Sequence, residues 1–349
     1  MSGRIKSVLF LIICLSAYFA LITCSGDNPV HSDSPLPEAL GWVEQISPIV
    51  DKDLVAVDFV NPSLGWIVGE AGTILKTNNG GQNWVIQESG VTSTLMDIEF
   101  LDSRNGWAVG FDGTILRTEN GGRTWMVQES GTTSRFEEVT FLDNKTGWIS
   151  GRIPFALLRT SNGGQSWQSD SVPSLRLLSS MTFADEKNGI AIADWSHFVS
   201  TEDGGKSWSL LSETHGPYIW DMAFLENNFG LAILSGYGNN VEEDYLGWQD
   251  VVYQTTDGGK NWRQVYWGRG SGMFGGKTYI FAQDNAYIIS GYGFSIQHST
   301  DAGQSWTTQF YQFGIELYSA DFTNPLTGWA VGRKGAILHT TNGGITPTP

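Results

Sequence analysis

Cysteine and basic residues are scarce in this chain of 349 residues. It contains two cysteines, and its 20 lysines and arginines face 36 aspartates and glutamates, which gives a formal net charge of −16. Cys14 lies within an apolar N-terminal run that predicts a signal segment. Removal of the signal segment would leave Cys24 as the one cysteine of the chain, so no disulfide within the chain is expected. The shortage of positive charge argues against nucleic acid as a partner, because phosphate binding needs a basic field.

The N-terminus carries the long apolar run of the chain. Arg4 and Lys6 precede an apolar stretch over residues 8–22, which is the layout of a signal peptide at residues 1–23. The segment Leu21-Ile22-Thr23-Cys24 resembles a bacterial lipoprotein box in which Cys24 is the lipidated residue. The alternative is an uncleaved anchor helix, for which the run is a little short.

A flexible tether is predicted over residues 24–40, which are rich in Ser, Pro and Asp. Together with the signal peptide it predicts a protein of the bacterial cell envelope that touches the membrane through its lipid anchor only. Ser25 follows the lipidated cysteine, and by resemblance to other lipoproteins it favours the outer membrane over the inner one.

A short motif recurs seven times along the rest of the chain. Each copy has Thr or Ser, then Asn or Asp two residues on, then Gly two residues further, and we call this segment the repeat turn. In six copies a Trp follows the Gly by three residues. Successive copies start 41 to 54 residues apart, a spacing typical of propeller blades with four strands each. The copies start at Thr77, Thr118, Thr160, Thr201, Thr255, Ser299 and Thr340.

The seventh copy ends at Gly344 without its Trp or a following strand. An earlier segment, Trp42-Val43-Glu44-Gln45, matches the Trp84-Val85-Ile86-Gln87 that follows the first copy. We therefore predict that this N-terminal strand completes the last blade and removes its exposed edge. The predicted fold is an all-β, seven-bladed propeller over residues 41–349.

The second unit carries a family resemblance in Gly-Trp-Ala-Val-Gly at 106–110, Gly-Thr-Ile-Leu-Arg-Thr at 113–118 and Asn-Gly-Gly-Arg-Thr-Trp at 120–125. It resembles the repeat of the photosystem II assembly and stability factor family, over residues 42–344, and the repeat turn resembles an Asp-box of the BNR-like kind. The resemblance implies a seven-bladed propeller that binds other proteins during complex assembly and does no chemistry. It implies no cofactor, and the expected partner is another envelope protein or an assembly intermediate.

The same resemblance implies a patch of arginines, which the photosynthetic members carry. One position of the repeat holds Lys76, Arg117 and Arg159 in three blades. In the other four blades it holds Ser, Gln or His, so the patch is incomplete in this chain.

Catalysis is the weaker alternative. Asp-boxes also occur in sialidases, which carry an Arg-Ile-Pro motif far ahead of the first box, whereas Arg152-Ile153-Pro154 directly precedes the third copy here. Asp-box xyloglucanases build their cleft between two propellers, whereas a single propeller is predicted for this chain, so that resemblance fails. A sialidase-like glycosidase remains a third hypothesis, and no cluster of residues has the spacing of a tight metal site.

Six carboxylates are predicted to approach the central channel when the innermost strands are aligned on their phenylalanines. Paired carboxylates can do acid–base work or hold a cation, but we expect these to be solvated, because propeller channels are wet and tolerate charge. The six are Asp58, Asp97, Glu99, Glu138, Asp221 and Asp321.

The tryptophans give the prediction of a binding surface. The repeat accounts for eleven of 15, and the other four are predicted at or near the end of the ring opposite the repeat turns, over blades four to six. A long insertion over residues 235–250 adds aromatic and acidic residues to the same end. Loop aromatics suit a protein interface, and a surface that binds glycans is the alternative; they could also cap irregular blades. The predicted surface comprises Trp195, Trp220, Trp248, Trp267, Tyr237, Tyr245, Glu242, Glu243 and Asp244.

Overall fold

The computed structural model describes residues 41–152, 156–170, 175–213, 218–225, 228–240, 245–269, 277–290 and 295–344. They form seven antiparallel sheets of four strands each, so the predicted seven-bladed propeller is confirmed. The signal peptide, the tether and Cys24 lie outside these residues and remain predictions. Within the described part of the chain, no helix has the length and apolar character needed to span a membrane.

The first three blades follow one plan, in which each strand pairs with the next from the channel outward. Blade 1 follows the closing strand β1 (Val43–Glu44) and comprises β2 (Leu54–Asn61), β3 (Leu64–Gly69), β4 (Ile74–Thr77) and β5 (Val85–Gln87). Blade 2 comprises β6 (Leu95–Phe100), β7 (Gly106–Gly110), β8 (Ile115–Thr118) and β9 (Met126–Gln128). Blade 3 comprises β10 (Arg135–Phe141), β11 (Gly147–Arg152), β12 (Ala156–Thr160) and β13 (Gln168–Asp170).

The remaining blades keep this plan, with longer strands in blade 5. Blade 4 comprises β14 (Leu178–Phe183), β15 (Gly189–Ala193), β16 (His197–Thr201) and β17 (Ser209–Glu213). Blade 5 comprises β18 (Tyr218–Phe224), β19 (Gly230–Asn240), β20 (Tyr245–Thr255) and β21 (Arg263–Arg269). Blade 6 comprises β22 (Lys277–Ala282), β23 (Asn285–Ser290), β24 (Ser295–Ser299) and β25 (Thr307–Tyr311). Blade 7 comprises β26 (Leu317–Asn324), β27 (Thr327–Gly332), β28 (Ile337–Thr340) and β1. Within the described residues, short 3₁₀ turns lie at Glu70–Gly72, Phe111–Gly113 and Arg333–Gly335.

The N-terminal strand closes the ring as predicted. Val43 and Glu44 of β1 pair with His339 and Leu338 of β28. The preceding residue, Trp42, is fully buried and packs edge-on against Phe322, with the ring centroids 5.8 Å apart. The first and last parts of the described chain therefore share one sheet, and the outer edge of β28, the third strand of blade 7, is paired with β1.

The repeat turn is held by its own side chains. Thr77 Oγ1 accepts hydrogen bonds from the amides of Asn79 and Gly81, at 3.2 and 2.9 Å, and donates to Asn79 Oδ1 at 2.9 Å. Gly80 and Gly81 have φ values of +69° and +86°, a region that favours glycine. The bond from the amide of the Gly four residues after the Thr or Ser to that hydroxyl occurs in all seven copies.

Aromatic stacking joins one blade to the next on the side of the repeat turns. Trp66 of blade 1 stacks on Phe100 of blade 2 with the ring centroids 3.5 Å apart, and Trp125 meets Phe100 edge-on at 5.8 Å. Gly106 covers the Phe100 ring so closely that a Cβ there would lie 2.6 Å from it. The same stack recurs at three other junctions, in Trp329–Phe59–Trp84, Trp107–Phe141–Trp167 and Trp148–Phe183–Trp208.

The channel carboxylates differ from their predicted, solvated setting. Five of the six are buried and Asp97 is half-buried. An innermost strand pairs with one neighbour only, so half of its amides point away from its own sheet. The carboxylates accept hydrogen bonds from these amides in the next blade, so they are buried and bonded to backbone where we expected solvated side chains. The bonds join Asp321 to Phe59 (2.6 Å), Asp58 to Phe100 (2.5 Å), Glu99 to Phe141 (2.8 Å), Asp97 to Val139 (3.0 Å), Glu138 to Met181 (3.0 Å) and Asp221 to Thr278 (2.7 Å).

Two junctions use a hydroxyl instead of a carboxylate. Between blades 4 and 5, Ser180 Oγ accepts a hydrogen bond from the amide of Met222 at 3.2 Å. Between blades 6 and 7, the Tyr279 hydroxyl donates to the carbonyl oxygen of Ala320. Every junction of the ring thus has a polar side-chain contact between neighbouring inner strands.

Removing one of these acceptors should weaken the whole propeller. We expect Asp58→Ala to lower the free energy of unfolding by about 1–3 kcal/mol, because the Phe100 amide stays buried without its acceptor. Urea unfolding followed by Trp fluorescence measures the change. Asp58→Asn keeps an acceptor oxygen and should lose less, and Asp51→Ala, at an exposed position, should change little. Equal stability of Asp58→Ala and Asp51→Ala would contradict this role.

Candidate binding surface

The propeller has two unlike ends. The repeat turns lie at its lower face, and the connections between second and third strands and between blades lie at its upper face. At the lower face, the indole Nε1 of Trp66, Trp107 and Trp148 donates to a repeat-turn carbonyl of the next blade at 2.8–3.3 Å. The eleven repeat tryptophans thus take part in the packing of the blades, and a binding surface is better sought where the repeat is broken.

The clearest break in the repeat is the turn between β15 and β16. Asp194 and Trp195 have φ values of +47° and +65°, and the amide of Ser196 donates to the carbonyl oxygen of Ala193 at 3.2 Å. Left-handed φ values at both central residues are typical of a type I′ turn, whose second central residue is normally glycine. The corresponding pairs of left-handed residues in blades 1, 2 and 7 do end in glycine, and they are Ala71–Gly72, Asp112–Gly113 and Lys334–Gly335.

A tryptophan in this conformation is unfavourable for the fold. A left-handed backbone costs about 1–2 kcal/mol in a residue with a β-carbon, and glycine avoids the cost. Strained residues of this kind concentrate at functional sites, so Trp195 is a candidate on structural grounds that are independent of its aromatic character.

Trp195 faces the first strand of the next blade. Its ring lies edge-on to that of Tyr218, with the centroids 6.0 Å apart, and its carbonyl oxygen accepts a hydrogen bond from the Ile219 amide at 2.7 Å. Tyr218 keeps 49% of its surface exposed. Asp194 Oδ1 supports the turn by accepting hydrogen bonds from the amides of Arg176 and Leu177, at 3.0 and 3.1 Å. We call Trp195 and Tyr218 the aromatic pair.

Trp220 and Trp267 lie within strands, close to the connections between blades. Trp220 belongs to β18, and its indole Nε1 donates to Ser235 Oγ. Trp267 belongs to β21 and packs against the apolar cluster between blades 4 and 5. Both are half-buried, so they support the upper part of blade 5 and offer a partner less surface than Tyr218 does.

The predicted insertion over residues 235–250 is a hairpin and not a long loop. It extends β19 and β20 to eleven residues each, and Tyr237 pairs with Trp248 across the hairpin, while Tyr245 pairs with Asn240. The pairing continues although residues 235–240 include two glycines and two asparagines, which are depleted in strands. The side chains of Tyr237, Tyr245 and Trp248 lie outside the described part of the structure, as do all of Glu242, Glu243 and Asp244.

A set of bulges at the upper end of the channel was missed by the sequence analysis. In five blades the pairing of the innermost strand skips one residue, four positions before the aligned phenylalanine, and a bulge of this kind redirects the side chain. Trp220 is one of them, and it is half-buried whereas the other four are buried. A shared distance from the phenylalanine is the sequence signal that could have revealed the set. The skipped residues are Val55, Met96, Glu137, Trp220 and Tyr318.

A buried lysine of blade 6 lies within electrostatic range of carboxylates from blades 2, 3 and 5. Lys277 is 1% exposed, and burial lowers the pKa of its ammonium group although Asp221, Asp97 and Glu138 act in the other direction. Burial likewise raises the pKa of the Glu138 carboxyl well above its usual range. The described residues contain no group of three or more His, Cys, Asp or Glu side chains that could hold a metal ion.

The fold and its repeats define the class of the protein as a seven-bladed β-propeller with four-stranded blades. The predicted family resemblance is confirmed, because the family model for the photosynthesis system II assembly factor YCF48 matches residues 84–176. No curated protein sequence matches the chain significantly.

Several solved structures share this fold. A structure described as YCF48 bound to D1 peptide has a TM-score of 0.67 and 20% identity, covering 86% of this chain and 97% of its own. YCF48 from Cyanidioschyzon merolae gives a TM-score of 0.67 at 18% identity, with 86% and 98% covered. A GH74 xyloglucanase from Xanthomonas campestris gives 0.67 at 13% identity, covering 88% of this chain but 54% of its own. At these identities the likeness shows the fold alone.

The strain at Trp195 predicts an inverted order of stability for two variants. Glycine is normally worse than alanine in folded structure, but here Trp195→Gly should exceed Trp195→Ala in free energy of unfolding by about 1 kcal/mol, because both lose the indole and alanine keeps the strained β-carbon. Urea unfolding of the two variants side by side measures the difference. A more stable alanine variant would mean that the turn carries no such strain.

Proposed function

We propose that this chain is a non-catalytic propeller of the cell envelope that holds another protein, an envelope protein or an assembly intermediate, on its upper face over blades 4 to 6. The observation that carries the proposal is the aromatic pair, in which a strained Trp195 lies against the exposed ring of Tyr218. Aromatic side chains fixed in place are favoured at protein interfaces, since they bring large contact area with little loss of conformational entropy.

The similarity to YCF48 supports a role in assembly. The YCF48 structure is described as bound to D1 peptide, so one propeller with this fold binds a peptide. Absence of catalysis is supported by the channel, where the six carboxylates accept backbone hydrogen bonds and are poorly placed to act as a general acid and base.

Glycan binding is the second candidate. Aromatic rings such as those of the aromatic pair also suit the apolar faces of sugars, and a xyloglucanase shares the fold. A protein partner is favoured, because pockets that enclose small ligands are concave and bury most of their lining, whereas Tyr218 keeps 49% of its surface exposed.

Site-specific crosslinking in cells tests the protein-binding proposal. A photoreactive residue at position 218 should yield a discrete protein adduct, and the added Trp195→Gly substitution should remove most of it, because the ring that supports position 218 is lost. The matched control is the same photoreactive residue at Gln168, an exposed position on the outer strand of blade 3. Equal adducts at both positions, or none at 218, would contradict the proposal, and binding to one glycan that depends on Trp195 would favour the second candidate.

The envelope location is proposed from Cys24 and can be tested separately. We expect the chain to incorporate labelled fatty acid in bacterial cells and to fractionate with the outer membrane, since Cys24 ends the lipoprotein-like segment. Cys24→Ser should abolish labelling and release the protein from the membrane, while Cys14→Ser should leave both unchanged. Labelling that persists in Cys24→Ser would overturn the assignment.

A further inference from the structure

Two arginines converge on one buried glutamate at the upper face of blade 3. Arg135 begins β10, Arg152 ends β11, and the two are direct partners across the strand pair. The Nε of each guanidinium lies near Glu137 Oε1, at 2.7 Å for Arg135 and 2.6 Å for Arg152. The Glu137 side chain is fully buried, whereas the arginines keep 16% and 13% of their side-chain surface exposed.

The three side chains carry a net positive charge of one, within a chain whose net charge is −16. A buried carboxylate is costly even when paired, and burial raises the pKa of Glu137 against the opposing effect of both arginines. The arrangement fixes two guanidiniums in one orientation near the surface. Guanidiniums held in this way are suited to a second carboxylate, which they can grip through parallel hydrogen bonds.

An apolar cluster adjoins the two arginines. The Arg135 guanidinium lies over the ring of Phe111, with its Cζ 4.5 Å from the centroid, and its Nη2 is 3.9 Å from the sulfur of Met96. Phe111 in turn packs against Val55, Met96 and Tyr318, which come from blades 1, 2 and 7. The two arginines therefore lie beside an apolar cluster of which Phe111 is the partly exposed member.

We propose that Arg135, Arg152, Glu137 and Phe111 form a binding site for a carboxylate attached to an apolar group. The guanidiniums take the carboxylate, Glu137 positions them, and Phe111 contacts the apolar part. The C-terminal residue of a peptide and a free organic acid share this chemistry. The site lies on blades 2 and 3, apart from the aromatic pair, and does not depend on the function proposed above.

Calorimetric titration of the purified protein with four probes tests the site. N-acetylleucine and a short peptide ending in leucine present a carboxylate on an apolar residue, while N-acetylleucinamide and the amidated peptide lack the charge. We expect the acids to bind and the amides to bind at least tenfold more weakly. Arg152→Gln should weaken acid binding by tenfold or more, because one of the two guanidiniums that bind the carboxylate is lost. Arg333→Gln, which removes an exposed arginine paired with Glu316, should leave it unchanged.

The outcomes separate the site from simpler explanations. Thermal unfolding shows whether Arg152→Gln is folded. Arg152→Lys is a second variant, which keeps the positive charge but lacks the forked donor groups of a guanidinium. Binding of the peptide acid alone identifies a chain terminus as the ligand, and binding of both acids shows that a small acid suffices. Equal binding of acids and amides, full acid binding by Arg152→Gln, or no binding of either acid overturns the proposal.

Discussion

The hydrogen bond that crosses from one innermost strand to the next is the contact on which this ring depends. Each blade leaves one edge of its inner strand unpaired, and buried amides without partners would cost free energy at every junction. Side chains of one blade satisfy amides of the next at six junctions, and the Tyr279 hydroxyl bonds a carbonyl at the seventh. Blade-to-blade order thus comes from polar contacts at the axis together with aromatic stacking toward the lower face.

This division of labour separates structure from candidate function. Contacts between blades are made by the repeat turns, their tryptophans and the inner-strand carboxylates. The regular parts of the sequence therefore offer few side chains for binding a partner. Trp195 and the Arg135–Glu137–Arg152 cluster depart from the repeat, and both lie at the upper face. Trp195 costs stability through backbone strain, and the cluster costs stability through the burial of charge.

The blade number and the ring closure could be predicted because a spaced motif and a matching N-terminal strand are properties of the chain itself. The places of Asp58 and Glu99 on inner strands were also predictable from alignment, but their environment was not, since no single strand shows how near the next blade lies. The bulge that places Trp220 within β18 shifts the pairing by one residue, and strand patterns do not contain that shift. Trp195 was selected as a tryptophan outside the repeat, and its strain required backbone angles.

The central claim is that the inner edges of the blades are closed by side chains of their neighbours. Hydrogen exchange of the amides of Phe59, Phe100 and Phe141, resolved by NMR, tests it most directly. If the carboxylates of Asp321, Asp58 and Glu99 hold these amides, they should exchange as slowly as amides paired between central strands. Exchange at the rate of an open sheet edge would contradict the account.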